Sequence, residues 1–327
     1  MHPEPELVER FRDDLDTLIG PTRIGIGVSG GPDSLALLLL AAAARQGLIE
    51  AATVDHGLRP ESAAEAEMVA SLSERLGVPH TTLRIEWDIA PSSAVQEQAR
   101  QLRYGALARW AYERGLDAVA TAHHLDDQAE TLVMRLARGA GVRGLAGMRP
   151  LARVPASDLP LLRPLLGWRR SELLRICEEA GVTPAHDPSN ADEQFERVRV
   201  RRALAGADWL DPERLARSSS NLAAADEALD WATEREWRES VDEGESEIRY
   251  RPSHAPPELL RRIVARAVQA LAREGTREPL RGRELDRLIE KLSSGRPSTL
   301  RGVRCSGGEI WRFVPAPNRT RREDNMR

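Results

Sequence analysis

The chain has 327 residues, 41% of them apolar, and a formal net charge of −4 at pH 7, so it can bury a sizeable core and is expected to form two domains. The charge excludes the global basic field of many nucleic-acid-binding proteins, and any contact with RNA must therefore come from local arginine clusters. No apolar run could span a bilayer, the start lacks a secretory signal, and Cys177 and Cys305 lie far apart. We therefore expect a cytoplasmic protein without a disulfide framework or a cysteine metal site.

Segments with strand and helix patterns alternate through the first part of the chain. An amphipathic helix in residues 1–20 comes first, and then each of four strands is followed by a helix. This alternation predicts a parallel sheet covered by helices on both faces, with ligands beyond the carboxyl ends of the strands. The predicted strands are residues 23–28, 50–54, 81–87 and 117–122, and the helices are residues 34–46, 62–76, 93–114 and 127–138.

The composition changes after about residue 205, where we place a domain boundary. Residues 1–205 are predicted to form an α/β domain, and residues 206–327 a smaller, mainly helical domain. In the first domain residues 139–164, rich in glycine and proline, are predicted to be loop. The remaining predictions are helices at 171–180, 211–239, 257–274 and 283–292, a hairpin at 299–314 turning at Gly307-Gly308, and a disordered tail at 319–327.

A turn with two glycines joins the first predicted strand directly to its helix. The turn brings unpaired N–H groups and the positive end of a helix dipole to one exposed point, where glycines let an anion approach. Hydroxyls can donate to phosphate oxygens, and a carboxylate beside phosphates fits a magnesium ion between them. A plain tight turn is the alternative, but the sequence favours pyrophosphate binding, although neither a dinucleotide fingerprint nor a Walker A loop is present. The residues are Ser29, Gly30, Gly31, Pro32, Asp33 and Ser34, with Asp33 as the metal ligand.

Asp55 and His56 follow the second predicted strand and so should lie beside this turn. A nucleotide with its phosphates at residues 29–34 would place its adenosine across this strand end. The alternative interpretation is that Asp55 and Gly57 simply build a turn.

Three acidic residues and two histidines open the helix after the fourth strand. Asp126 or Asp127 can cap this helix, and Glu130 shares a helical face with them. Capping accounts for one acid but not for three beside a polyphosphate site, where like charges repel. The cluster is reasonable if it holds magnesium or a cationic amine. His123 and His124 belong to the same segment.

Arginines on two further segments could meet phosphates. Arg100 and Arg103 would neutralise charge on a departing pyrophosphate if the start of their helix lies near the site, and a solvated helix face is the alternative. Alternate arginines after residues 186–190 (His-Asp-Pro-Ser-Asn) could likewise grip phosphates or an RNA backbone, or form a solvated surface. They are Arg197, Arg199, Arg201 and Arg202.

Together these segments resemble the tRNA(Ile)-lysidine synthetases of the N-type ATP pyrophosphatase (PP-loop) superfamily. The turn alone is typical of the superfamily, whereas the His-His-x-Asp-Asp-Gln stretch and the glycine block after it are more specific. The motifs occur in family order over about residues 20–205. They are residues 29–34, 54–59 (Val-Asp-His-Gly-Leu-Arg), 99–104 (Ala-Arg-x-x-Arg-Tyr), 121–131, 138–148, 163–166 (Arg-Pro-Leu-Leu) and 186–192.

The resemblance implies an adenine nucleotide alpha hydrolase-like fold with a parallel, five-stranded-type sheet. It implies a ligase that uses ATP and Mg²⁺ to adenylate the wobble cytidine of tRNA(Ile) with a CAU anticodon, after which L-lysine displaces AMP to give lysidine. The resemblance further implies a protein that does not act at a membrane and that could form a homodimer. The implied roles are ATP binding by residues 29–34, Asp55 and His56, lysine binding by Asp127 and Glu130, catalysis by Asp33, Arg100, Arg103 and His123, and tRNA binding by Arg197, Arg199 and Arg201.

The chain departs from the family pattern and leaves other functions to weigh. Val198 stands where members usually have Asn in Arg-Asn-x-aliphatic-Arg, and the extra C-terminal domain of longer members is not expected here.

A tRNA-thiolating relative would rely on catalytic cysteines, but both cysteines lie outside the motifs. An amidating ligase would need an ammonia source. A non-catalytic ATP-sensing RNA-binding module would have no reason to keep Asp33, Asp127 and Glu130 together.

Overall fold

The structure is a computed structural model that describes residues 3–57, 61–85, 95–185, 192–252, 254–272, 280 and 282–317. It divides into two compact units between Ala223 and Ala224. The predicted separation after residue 205 into a catalytic and a tRNA-binding domain is a statement about function and stays a prediction.

The first unit alternates strands and helices, as the sequence predicts. Its helices are α1 Pro5–Asp16, α2 Pro32–Ala44, α3 Glu61–Leu76, α4 Val95–Arg114, α5 Leu125–Ala137, α6 Val142–Leu145, α7 Arg170–Glu179 and α8 Glu196–Ala205, and α9 Pro212–Ser240 crosses the division. Its strands are β1 Ile24–Gly27, β2 Ile49–Asp55, β3 His80–Arg84, β4 Ala118–Ala120, β5 Leu151–Arg153 and β6 Pro160–Leu162.

The strands form one sheet in the order β3-β2-β1-β4-β6-β5. All neighbours run parallel except β5, which pairs antiparallel with β6 at the edge. The predicted α/β fold with a parallel sheet of five-stranded type is thus confirmed, and β5 adds a sixth, antiparallel strand at one edge. The prediction that residues 139–164 are all loop is wrong, because α6, β5 and β6 lie there. Elements of three or four residues are too short to show a hydrophobic period.

Helix α2 is the centre of the first core. Every residue from 34 to 41 is buried, because α1 and α7 pack against the helix as well as the sheet. A helix that is apolar all round needs such complete cover. The cover comes from residues such as Phe11, Leu15 and Trp168, all 0% exposed. The start of α2, directly after β1, is therefore held rigidly at the edge of the core.

The second unit combines helices with an antiparallel sheet of five strands in the order β7-β8-β11-β10-β9. The predicted hairpin at residues 299–314 corresponds to β10 and β11, with Gly307-Gly308 between them. The prediction of a mainly helical domain did not include the other three strands of this sheet. The predicted tail at 319–327 lies outside the described residues. The elements are α10 Pro257–Leu271, α11 Gly282–Ser293, β7 Val241–Glu243, β8 Ile248–Tyr250, β9 Ser298–Leu300, β10 Val303–Ser306 and β11 Trp311–Pro315.

Among the described residues, no helix has both the length and the apolar character needed to cross a bilayer.

A close approach at Gly25 gives a test of the packing between β1 and α4. A Cβ atom on Gly25 would lie 2.4 Å from Cζ3 of the buried Trp110. We expect Gly25→Ala to lower the free energy of unfolding by about 1–3 kcal/mol, as overpacking does. The matched control is Gly105→Ala within α4, where a Cβ meets nothing within 4 Å. It should raise stability by up to about 1 kcal/mol through helix propensity. Thermal unfolding measures both, and a Gly25→Ala protein as stable as the wild type would contradict the packing described.

Candidate functional site

A cavity of about 570 Å³ opens beyond the carboxyl ends of β1, β2 and β4, where ligands bind in open parallel sheets. The structure brings most predicted site residues to this cavity. Those that line it are Ser29, Gly31, Pro32, Asp33, Ser34, His56, Arg100, Arg103, His123, Asp127, Arg197 and Arg201. Those that are not part of its lining are Gly30, Asp55, Glu130 and Arg199.

The turn before α2 is closed by its own hydrogen bonds. Ser34 Oγ donates to the Gly31 carbonyl (2.9 Å) and accepts from the Ser29 N–H (3.1 Å). Gly30 has φ +85°, and its carbonyl accepts from the Ala185 N–H at 2.9 Å. Gly31 is the N-cap of α2, and no side chain caps the helix. The first-turn N–H groups thus lie at the cavity, as binding of an anionic phosphate requires.

Asp33 is suited to hold a metal ion beside phosphates. Its Oδ1 atom is buried and has no hydrogen-bond partner among the described residues, while Oδ2 lies 3.6 Å from His124 Nε2. The described residues include no ready-made group of three or more metal-binding side chains. Magnesium is commonly bound by one or two carboxylates together with substrate phosphates, and Asp33 fits that arrangement.

His124, and not an aspartate, is the N-cap of α5. The Asp127 N–H donates to His124 Nδ1 (3.3 Å), and the His124 N–H donates to Asp127 Oδ2 (3.1 Å). Asp127 is therefore the third-position partner of a capping box. Because Nδ1 accepts, the ring proton lies on Nε2, which faces Asp33. Burial by itself lowers the pKa of His124, but the hydrogen bond to Asp33 and the charges of Asp127, Asp33 and Asp126 outweigh burial and raise it.

Asp126 is not part of the cavity lining. Its carboxylate accepts from the Arg170 N–H (2.8 Å) and from Arg169 (3.3 Å) at the start of α7. One acid of the predicted cluster therefore connects helices α5 and α7, and a second, Asp127, lines the cavity.

Glu130 is the third acid of the cluster, and it is paired with arginines. It is 2% exposed, and Arg201 binds both of its oxygens, with Nε–Oε1 at 2.6 Å and the second contact at 3.3 Å. Arg197 Nε lies 3.3 Å from Oε2. Arg197 and Arg201 are one helical turn apart on α8 and both reach the cavity. The prediction that Glu130 binds lysine is not decided by these contacts.

The other predicted arginine of α8 is placed differently. Arg199 donates to the Glu193 (2.7 Å) and Gln194 (3.0 Å) carbonyls outside the cavity. Val198 is buried, 7% exposed, on the same helix. Loss of the family's asparagine therefore leaves Arg197 and Arg201 in place, because helical spacing and Glu130 position them. Residues 186–191, which include the predicted motif His186–Asn190, lie outside the described residues.

Positive charges surround His123, which also lines the cavity. Burial first, and then the charges of Arg163, Arg100, Arg103 and Arg197, lower the pKa of His123 well below its usual value. Its Nδ1 atom is 2.9 Å from Thr121 Oγ1. The ring is therefore neutral at pH 7, and this wall of the cavity can receive anionic charge from a ligand.

Two residues of this wall were missed by the sequence reasoning. Arg163 contributes charge beside His123, and Tyr104, 1% exposed, lies under the guanidinium groups of Arg100 (5.1 Å) and Arg103 (5.6 Å). Both belong to motifs that carry the family resemblance, so the motifs themselves were the available signal.

Asp55 builds the turn after β2. Its Oδ1 accepts from the Gly57 N–H (2.9 Å) and from Ser62 Oγ (2.6 Å), and these two bonds, the Ser62 bond first, lower its pKa. The alternative interpretation of Asp55 as a turn residue describes its contacts, and ATP binding by Asp55 remains a prediction. His56 lines the cavity, and burial followed by the charge of Arg103 lowers its pKa.

The opposite face of α5 holds the glycine-rich segment in place. The side-chain amide of Gln128 donates to the Met148 carbonyl (2.8 Å) and accepts from its N–H (2.7 Å). A Cβ atom on Gly147, whose φ is +68°, would lie 2.6 Å from Gln128 Oε1 and 2.3 Å from Ser219 Oγ. The glycine permits this approach, and the double hydrogen bond fixes the helix that presents Asp127.

Comparisons with known proteins agree with this geometry. The model of the protein family described as "PP-loop domain" matches residues 5–207. The tRNA(Ile)-lysidine synthase of Novosphingobium aromaticivorans is 51% identical over 94% of this chain and 93% of that protein. The tRNA(Ile)-lysidine synthase of Zymomonas mobilis subsp. mobilis is 42% identical over 91% and 89%. The solved U34-tRNA thiolase NcsA from Methanococcus maripaludis is similar in fold, with a TM-score of 0.57 at 18% identity over 67% of this chain and 79% of that chain.

The environment of His123 predicts a neutral ring at mildly acidic pH. The unfolded chain binds a proton at a histidine pKa of about 6.5, whereas the folded pKa is well below this value. The contribution of His123 to the free energy of unfolding therefore falls as the pH drops below about 6.5. Histidine-selective ¹⁵N NMR, with His123→Gln to assign the signal, should show the uncharged ring at pH 6. A ring that charges at or above pH 6.5 would refute the cationic environment.

Proposed function

From the premise that this chain belongs to the PP-loop family, and within it to the tRNA(Ile)-lysidine synthases, we propose that it ligates L-lysine to C2 of the wobble cytidine in the CAU anticodon of tRNA(Ile). ATP is the co-substrate, and AMP and pyrophosphate are released. One observation carries the proposal: the phosphate-type turn at residues 29–34 and the carboxylate of Asp127 line the same cavity. Such a cavity suits a polyphosphate next to a cationic amino acid.

In the first half of the proposed reaction the cytidine O2 atom attacks the α-phosphorus of ATP, and pyrophosphate leaves. The N–H groups at residues 29–34 hold the phosphates, and His56, with Asp55 behind it, lies where adenosine would extend along the end of β2. Asp33 holds Mg²⁺, which would neutralise charge on the phosphates. Arg100 and Arg103 are suited to stabilise the leaving pyrophosphate, since they stand in the cationic wall of the cavity.

In the second half an amine of lysine loses its proton and attacks C2, and AMP leaves with the former O2 atom. Asp127 is the acid of α5 that lines the cavity and can hold the ammonium group, and Glu130 lies on the same helix. The proton acceptor is a nearby carboxylate or the neutral ring of His123. Arg197, Arg199 and Arg201 are assigned to the tRNA backbone, for which α8 offers guanidinium groups inside and outside the cavity.

The rival reaction is transfer of sulfur to tRNA, which the name of the solved thiolase raises. A cysteine acts as a nucleophile or as a metal ligand only in its thiolate form. Cys177 is buried with Sγ 3.3 Å from the Pro32 carbonyl, and burial, with the charge of Asp33, raises its pKa to about 12. Burial likewise raises the pKa of Cys305 to about 12. Neither cysteine lines the cavity, so the observations favour lysine ligation. We place the reaction in the cytoplasm, and a homodimer remains a prediction.

A transfer assay tests the reaction and separates it from thiolation. Purified protein with ATP, Mg²⁺ and labelled lysine should transfer label to tRNA that bears a CAU anticodon. The double variant Cys177→Ala/Cys305→Ala should keep this activity, because both thiols are buried and protonated at pH 7. A wild-type protein that incorporates sulfur or ammonia instead would overturn the assignment, although not the family.

Replacing Asp33 tests the metal assignment. Asp33→Ala should reduce tRNA-dependent release of AMP at least about 100-fold, because the phosphates lose the ion that the carboxylate holds. The exposed Asp13 on α1 provides the matched control, and Asp13→Ala should release AMP at the wild-type rate. Wild-type release by the Asp33 variant would show that this carboxylate does not serve the reaction.

A further inference from the structure

A carboxylate that the proposed function needs for lysine is covered by arginines in the structure. Glu130 lies within the fold, 2% exposed, and its carboxylate oxygens form ion pairs with the guanidinium groups of Arg197 and Arg201. Arg201 binds it in a two-point contact, and Arg197 approaches the second oxygen. A buried carboxylate is strongly destabilised when it is unpaired. A cation beside Glu130 therefore stabilises the ionised carboxylate.

Arg197 and Arg201 also belong to the cavity, whereas Glu130 does not line it. Burial by itself lowers the pKa of Arg201, but the hydrogen bond and charge of Glu130, and then the charges of Asp127 and Asp33, raise it. The two arginines thus lie between the buried acid and the space that the phosphates would occupy. A guanidinium can bind phosphate oxygens in the same two-point manner as a carboxylate.

We propose that Arg197 and Arg201 exchange partners when the nucleotide binds. The inference rests on the proposed function. The incoming polyphosphate draws the arginines from Glu130, and the ammonium group of lysine replaces them at the carboxylate. The carboxylate stays paired throughout, because the ammonium group of lysine arrives as the two arginines move to the phosphates. Lysine binding is therefore positively coupled to nucleotide binding, and by linkage the reverse also holds.

This exchange favours binding of the nucleotide before lysine. Without nucleotide, Arg201 is an internal competitor for the acid, so free lysine binds weakly beside an empty phosphate turn. With nucleotide, the same arginines serve the phosphates and Glu130 joins Asp127 at the ammonium group. The competing interpretation is that Glu130 acts only as a fixed support for the arginines and never meets lysine.

Calorimetry of L-lysine binding to the full chain distinguishes these interpretations. The titration is done with Mg²⁺ alone and with Mg²⁺ and α,β-methylene-ATP, whose α–β bond is not cleaved. We expect lysine to bind at least about 10-fold more tightly in the presence of the nucleotide. This comparison uses the wild-type protein and needs no variant. Equal lysine affinity in both conditions overturns the exchange but leaves the proposed function standing, whereas no lysine binding in either condition overturns both.

Variants of Arg201 identify the competitor. Arg201→Met should bind lysine without nucleotide at least about 10-fold more tightly than the wild type, and its coupling should be lost. Arg201→Lys keeps a positive charge beside Glu130, so it controls for a folding defect caused by loss of the ion pair. In this variant nucleotide should increase the lysine affinity less than it does in the wild type. A variant that folds, loses nucleotide affinity and leaves lysine affinity unchanged shows that Glu130 is only a support.

A second ion pair between the same two helices provides the matched control. Arg138 at the end of α5 pairs with Glu196 of α8 on the surface, and its side chain is 62% exposed. Arg138→Met removes a contact between α5 and α8 without touching the cavity lining. It should leave the lysine affinity and its dependence on nucleotide unchanged. The same gain in lysine affinity from Arg138→Met as from Arg201→Met would overturn the exchange, because a general loosening of the two helices would then explain both.

Discussion

The rest of the site depends on the anchoring of one helix end. Helix α2 is buried along residues 34–41, so its first turn cannot shift without disturbing the core between α1, α7 and the sheet. That first turn is also where unpaired N–H groups and the helix dipole meet a ligand. The hydrogen bonds of Ser34 and the positive φ of Gly30 shape the turn locally. The anion site is thus preorganised by burial of the helix behind it.

Around this fixed point the cavity is lined by charges of both signs. Arg100 and Arg103 belong to the lining, and so do Asp33 and Asp127. The adjacent residues His123 and His124 respond to these charges in opposite directions. Burial lowers the pKa of both, but arginines add to the effect at His123 whereas carboxylates reverse it at His124. Charges of both signs in one lining suit a site that accepts a polyphosphate and an ammonium group together. The proposed partner exchange at Glu130 extends the same charge balance to ligand binding.

The chemistry-bearing residues could be predicted because they follow strands of a regular alternation. The turn at residues 29–34, His56, His123 and Asp127 were expected at the strand ends and line one cavity. The predictions that failed concern short elements. Three-residue strands such as β5 and β6 have no readable period, and only pairing with β4 and with each other defines them.

The sequence by itself determined the fold class, the position of the phosphate turn and the residue types of the site, because these follow from local periodicity, helix-start chemistry and motif order. Only the tertiary structure decided which acid faces the ligand. Asp126, Asp127 and Glu130 share one helix, yet Asp126 accepts from α7, Asp127 lines the cavity, and Glu130 is paired with α8. Helical spacing places them on one face, but their partners come from segments distant in sequence, and long-range packing alone brings those segments into contact.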